Sequence, residues 1–394
     1  MSDGIQQHGE AHDQAHGQIH GQVAAGFEGV REEFAAVLAE EHAEPGAQLA
    51  AYLNGRQVVD LWAGEGLSGD SLTGVYSITK GAAHLVVALL VQDGVLDLDR
   101  EVAHYWPEFA AEGKGGLTLR ELLAHRSGVI GADDAFTPLE LADDRLVAER
   151  LAGQRPFWAP GQGYGYHAFV IGALTGEVVR RATGRSIQEL FEERVRAPYG
   201  LDFHLGLPEA LEDRYVDVLP ALPTHGQLAA AVGAPAPGRL LTIAMNWHGA
   251  GPPDLVDWIN TRAVRALGAT SAGGVANARG SAAMYAAAIS EVGGRPPLLK
   301  PDTLAEFSRL HTPGTDLVTG EPDHFALGFE AQHSRYPFLG PDAFGHGGAA
   351  GSQAFADPRS GVAYGYTRRR FFYPGGPAPE NARLAAAVLR AAGA

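Results

Sequence analysis

Ser77 and Lys80 stand three positions apart in the stretch Ser77-Ile78-Thr79-Lys80, ahead of a long apolar run. A helix advances about 100° per residue, so a spacing of three leaves the two side chains roughly 60° apart on one face. The pair is then a nucleophile with a proton acceptor one turn away. A serine hydroxyl attacks poorly until a neighbour removes its proton, and a free lysine is almost wholly protonated at neutral pH. Bringing its pKa down by about 3 units takes roughly 4 kcal/mol of destabilisation of the ammonium, which burial can supply. The N–H groups at a helix start also favour an anion forming beside the serine. The chemistry this suggests is acyl transfer through a serine ester.

The element that must hold the pair is readable. From Ala82 to Val91 the chain is apolar on nearly every face, interrupted by His84, and Asp93-Gly94 supplies a C-cap. A helix apolar all round belongs inside a large core, with Ser77 at its tip. The plain alternative has Ser77 capping the helix and Lys80 solvated in its first turn, although a cation there opposes the helix dipole.

Composition narrows the function. The chain has 394 residues, enough for two packed lobes, with 45% hydrophobic and 19% charged residues. The absence of cysteine excludes disulfides, a thiol nucleophile and thiolate metal sites. A net charge of −16 disfavours nucleic acid and anionic membrane as partners. Met1 to Gln22 has no apolar segment of the secretory kind, and the run after Ser77 is too short for a bilayer. The expectation is a cytoplasmic protein acting on a small molecule, with no metal or cofactor. Residues 1–25 are expected to form a flexible tail. His8, His12, His16 and His20 recur every four residues there, but Gly9, Gly17 and Gly21 oppose a helix, and catalysis does not need the imidazoles.

Order begins near Phe27, with Phe27, Val30, Phe34, Val37 and Leu38 at helical spacing. Gln48 to Leu53 and Gln57 to Trp62 read as strands around an Asn54-Gly55 turn. Helical patterns follow, including Leu117 to Leu123, Ala168 to Arg180 and Ala282 to Val292. Strands return at Phe325 to Ala331, Ser352 to Ala356 and Val362 to Thr367, before a helix over Leu384 to Leu389. The pattern predicts a mixed α/β (α+β) fold. Residues 26–76 and 321–394 would build one antiparallel sheet flanked by helices, 77–320 a mainly helical lobe inserted into it, and the active site would lie between the two.

Five stretches in order carry a resemblance: Val75-Tyr76-Ser77-Ile78-Thr79-Lys80-Gly81, Leu96-Asp97-Leu98-Asp99, Leu122-Leu123-Ala124-His125-Arg126-Ser127-Gly128, Pro160 to Ala168 around Tyr164-Gly165-Tyr166, and Phe344-Gly345-His346-Gly347-Gly348 leading to Gly351-Ser352. Over about 320 residues the chain resembles the serine hydrolases of the beta-lactamase and penicillin-binding-protein fold, most closely the family VIII carboxylesterases; the serine-lysine motif is one of that fold's signatures.

The resemblance implies Ser77 as nucleophile, Lys80 as its partner, Tyr166 as the family tyrosine, and the N–H groups of Ser77 and Ala349 as oxyanion hole. His346, Gly347, Gly348 and His167 are implied to bind substrate. Two motifs depart from the beta-lactamase pattern. The asparagine of tyrosine-x-asparagine is replaced in Tyr166-His167-Ala168, and lysine-threonine-glycine becomes His346-Gly347-Gly348. Both departures favour an esterase. Acyl transfer to an amine or alcohol, beta-lactam or D-amino-acid peptide hydrolysis, and a non-catalytic binding relative are the alternatives. The sequence leaves open whether Lys80 or Tyr166 is the base. Tyr164 rivals Tyr166, and His125 with Ser127 offers a serine-histidine pair. No Gly-x-Ser-x-Gly is present.

Overall fold

The computed structural model describes residues 18–41, 46–232, 236–249, 254–322 and 324–393. His8, His12 and His16 lie outside them. The first described element corrects the expected tail: His20–Val23 is a strand, β1, antiparallel to β3 (Arg56–Ala63), with His20 opposite Trp62. Gly21, which speaks against a helix, is what admits this strand. Its φ is +94°, and a Cβ there would lie 2.0 Å from the Asp60 carbonyl oxygen.

Helix α1, Glu28–Ala39, buries Val30, Phe34, Val37 and Leu38, the stripe its spacing predicts. β2, Ala47–Leu53, then turns into β3 through Asn54 and Gly55, both with positive φ. Two left-handed residues give the turn a twist that matches the strands. Next in the sheet is the distant strand β10, Val362–Arg368, which pairs with β2 over its whole length. Beyond it lie β9 (Gln353–Asp357), β8 (Phe344–Gly347) and β7 (Glu330–Ala331), all antiparallel. The described sheet has seven strands in the order β1-β3-β2-β10-β9-β8-β7. Phe325 to Ala331 is therefore mostly not strand. Only Glu330–Ala331 pairs with β8, because Gly328, at φ +77°, turns the chain just before it.

One sheet face is covered by α1 and by α4, Glu380–Ala392, whose Leu384, Ala385 and Val388 join Phe34, Leu49, Leu61 and Tyr364 in one core. The other face carries α3, Ala278–Ile289, seated on β2, β9 and β10. Ala50, Ala278 and Ala282 make that approach close. Residues 278–289 thus belong to the sheet layers and not to the helical lobe expected over 77–320.

The largest core surrounds α2, Ile78–Gln92, whose residues from Ile78 to Leu90 are all buried. Its C-terminus is at Asp93, with Gly94 left-handed after it. A small three-stranded sheet in the order β4-β6-β5 (Thr73–Gly74, Val275–Ala276, Phe203–His204) ties the start of α2 to the start of α3. That tie brings residues 271–274 against Thr79 and Lys80. No helix among the described residues is long and apolar enough to cross a membrane.

Candidate active site

The chain reaches Ser77 through a strained residue. Tyr76 has φ +48°, a conformation uncommon in non-glycine residues and often found at functional sites. It is over-determined by its surroundings: its hydroxyl donates to the Leu255 carbonyl at 3.1 Å, its carbonyl accepts from the Thr79 hydroxyl, and its ring meets Phe371 edge-on. The turn leaves Ser77 partly exposed between neighbours that are buried. Ser77 does not cap α2 with its side chain. Its Oγ instead lies 2.7 Å from Tyr166 Oη and 3.0 Å from Lys80 Nζ.

Lys80 is fully buried, which overturns the solvated alternative. Besides Ser77 Oγ, its Nζ donates to the Ala168 carbonyl at 2.7 Å and the Ser271 carbonyl at 2.8 Å. An ammonium has three N–H bonds and these are its three acceptors. In the neutral amine two N–H bonds still serve the carbonyls, which only accept, so the lone pair is left for the Ser77 hydroxyl. Burial drives the Lys80 pKa down to about 7, with the Glu330 carboxylate opposing the fall. Both protonation states are then populated near neutrality.

Tyr166 is partly exposed, stacks on Phe325 at 5.8 Å between centroids, and lies with its ring 5.0 Å from Lys80 Nζ. Tyr164, the sequence rival, points elsewhere, its hydroxyl donating to the Gly314 carbonyl at 2.8 Å. Ala349 follows the end of β8 and is again partly exposed among buried residues. Among the described residues the N–H groups of Ser77 and Ala349 have no internal acceptor. Gly348 lets this strand end lie against the segment that carries Ser77, since a Cβ on it would stand 2.6 Å from the Val75 carbonyl oxygen.

Two expected substrate contacts fail. His167 is fully buried, with Nε2 2.6 Å from Ser127 Oγ and Nδ1 2.6 Å from the Gly165 carbonyl. It faces inward because Tyr166 takes the cavity side and successive residues of an extended segment alternate. His346 is also buried, its Nδ1 between the Gly347 carbonyl at 2.9 Å and Glu330 Oε1 at 3.4 Å. Ser127 thus pairs with His167 and not with His125, whose Nδ1 accepts from the His167 N–H at 3.1 Å. Burial keeps all these imidazoles neutral, pushing His167 down to about 4 and His125 and His346 below their ordinary value.

Ser77, Tyr166, Gly347, Gly348 and Ala349 share the wall of a cavity of about 390 Å³. Its apolar side is Phe169, Leu241, Met245, Leu255 and Ala272; its polar side includes Thr319, Glu330 and Arg335. None of these was legible as a site residue. The apolar ones look like ordinary core residues in the sequence. Arg368, at the end of β10, is buried between Glu41 and Glu380. Among the described residues no cluster of three or more metal-ligating side chains occurs.

A buried lysine and a tyrosine converge on one accessible serine, beneath a helix tip and beside a strand edge, an arrangement able to support acyl transfer through a serine ester. The family model described as Beta-lactamase matches residues 30–389, and the chain belongs to that family. It is 33% identical over 352 residues to the esterase/beta-lactamase LipL of Mycobacterium tuberculosis, covering 84% of this chain and 78% of that protein. Among solved structures it is similar to EstA of Arthrobacter nitroguajacolicus Rue61a, with 42% identity and a TM-score of 0.86, covering 95% of this chain and 99% of that one. A family VIII carboxylesterase superposes with a TM-score of 0.85 at 35% identity, covering 95% of this chain and all of the other.

Proposed function

We propose that the protein is a serine esterase that cleaves small-molecule carboxylic esters through an acyl-enzyme on Ser77. The observation that carries this is the contact of one serine oxygen with both Lys80 Nζ and Tyr166 Oη at the wall of a partly apolar cavity. Ser77 Oγ attacks the ester carbonyl carbon as its proton passes to Lys80 or Tyr166. The carbonyl oxygen becomes an oxyanion held by the N–H groups of Ser77 and Ala349, a type of contact worth about 10²–10³ in rate per donor. Collapse expels the alcohol, which takes the proton, and water repeats the sequence to free the acid. Gly347 and Gly348 keep the strand edge bare, so the substrate meets backbone there. A cytoplasmic location belongs to the same reading.

Ser77→Ala is expected to abolish both p-nitrophenyl butyrate hydrolysis and labelling by a fluorophosphonate probe, measured by intact-protein mass spectrometry. Labelling that persists on another residue would overturn the assignment.

A further inference from the structure

Glu330 is the anionic side chain on the cavity wall, and the reaction just described has no use for it. Its carboxylate is held firmly: Oε2 accepts from the Gly347 N–H at 3.0 Å and from Gln332 Nε2 at 3.1 Å, while Oε1 stands 3.4 Å from His346 Nδ1. The His346 Nδ1–H already has the Gly347 carbonyl as acceptor at 2.9 Å, so Oε1 keeps lone pairs for a ligand. Burial alone would raise the carboxyl pKa. His346, Arg335 and the donors from Gly347 and Gln332 more than cancel that, leaving Glu330 below the ordinary glutamate range and anionic at neutral pH. Arg335 is on the same wall but exposed, whereas Glu330 is mostly buried two residues' length from the oxyanion donor of Ala349, through its bond to Gly347. Lys80 offsets this charge only while it is an ammonium, and above about pH 7 it is the neutral amine.

A fixed carboxylate in a partly desolvated cavity attracts a cation and repels an anion more strongly than the same pair would in water. Arg335, exposed at the rim, acts in the opposite sense, but its charge is more screened by solvent than that of the mostly buried Glu330. We propose that Glu330 makes the site selective for esters bearing a protonated or quaternary amine within a few carbons of the scissile carbonyl, and that it disfavours substrates with a carboxylate there, beta-lactams among them. This rests on the esterase reading above and names the substrate class of that site.

The test compares isosteric esters that differ only in charge. One series places the charge on the alcohol: butyrylcholine against its neutral tert-butyl isostere. The other places it on the acid: the p-nitrophenyl ester of trimethylammoniobutanoic acid against its tert-butyl isostere and against the p-nitrophenyl half-ester of glutaric acid. In wild type the cationic ester of at least one series should exceed its neutral partner in kcat/KM by about tenfold or more, and the anionic half-ester should fall below neutral. Glu330→Gln should bring these ratios close to one. A preference that survives in E330Q, a wild type indifferent to charge in both series, or an equal loss of kcat on all esters would overturn the proposal. Should E330Q fail to fold, wild type still decides: hexyltrimethylammonium should inhibit neutral-ester hydrolysis competitively and heptanoate should not, and equal or reversed inhibition would refute it. If wild type cleaves no neutral ester at all, the esterase reading itself has failed, which is a separate outcome.

Discussion

At the scale of single residues, the arrangement is governed by the cost of burying one ammonium. Below pH 7 Lys80 is charged in both folded and unfolded chains, and the folded chain carries the full penalty. Between pH 7 and about 10.5 the unfolded chain binds more protons, so the penalty is relieved as pH rises. The wild-type urea midpoint should therefore gain from pH 7 to 9.5 relative to that of Lys80→Met, which lacks the group. With Lys80 as the base of the proposed reaction, kcat/KM for a neutral ester should rise through an apparent pKa near 7, as the amine lone pair becomes available to Ser77, whereas a profile with no such step would point to Tyr166. Lys80→Arg, which stays charged, should lose about 10²–10⁴ in rate on the same assay. The approach of Lys80 to Ser77 was legible from their spacing on a helix, while the reading of the pair as a reactive site also drew on the apolar helix behind it and on the family motifs. Tyr166 needed a motif, since no local rule links it to a serine 89 positions away. His167 and His346 were misread as substrate contacts because residue type says nothing about which side of a segment faces the cavity. Glu330 went unseen because a glutamate in a short strand has no signature.

At the scale of elements, α2, which carries Lys80, is registered against α3 by a contact without slack. Tyr285 of α3 is fully buried with its hydroxyl unpartnered, and a Cβ on Gly81 would lie 2.1 Å from that oxygen. Gly81→Ala must displace the buried Tyr285 ring, part the two helices or move Lys80, its neighbour in sequence, and should cost about 1–3 kcal/mol of stability together with a drop in kcat. Removing the hydroxyl relieves the clash, so Gly81→Ala with Tyr285→Phe should recover much of both losses. Thermal melts and ester kinetics on the two single variants and the pair measure this coupling. Amphipathic and wholly apolar helices were legible because burial imposes their periodicity, and the Asn54-Gly55 hairpin because its turn demands positive φ. The layer to which Ala278–Ile289 belongs was not, since an alanine-rich helix fits against a sheet or inside a bundle equally well.

At the scale of the whole molecule, six histidines among the described residues are pushed toward the neutral form by burial: His84 down to about 3, His167 and His204 to about 4, and His125, His311 and His346 below their ordinary value. As pH falls through about 6.5 the unfolded chain takes up protons that the folded one refuses, so stability drops, each histidine contributing most where the unfolded ring is charged and the folded one is still neutral. Urea midpoints at pH 7, 6, 5 and 4 should fall steeply over this window, while a flat profile would contradict the burial of these rings. The overall architecture was readable as strands at both ends of the chain with helices between them. The sheet's central pairing, with Leu53 opposite Val362, follows from that order and has a consequence for biosynthesis. On a ribosome adding about 5–20 residues per second, the β2–β3 hairpin emerges tens of seconds before its partner strand. Throughout that interval the nascent hairpin presents an open, apolar edge, which makes the growing polypeptide a client for chaperones until its final hundred residues have been translated.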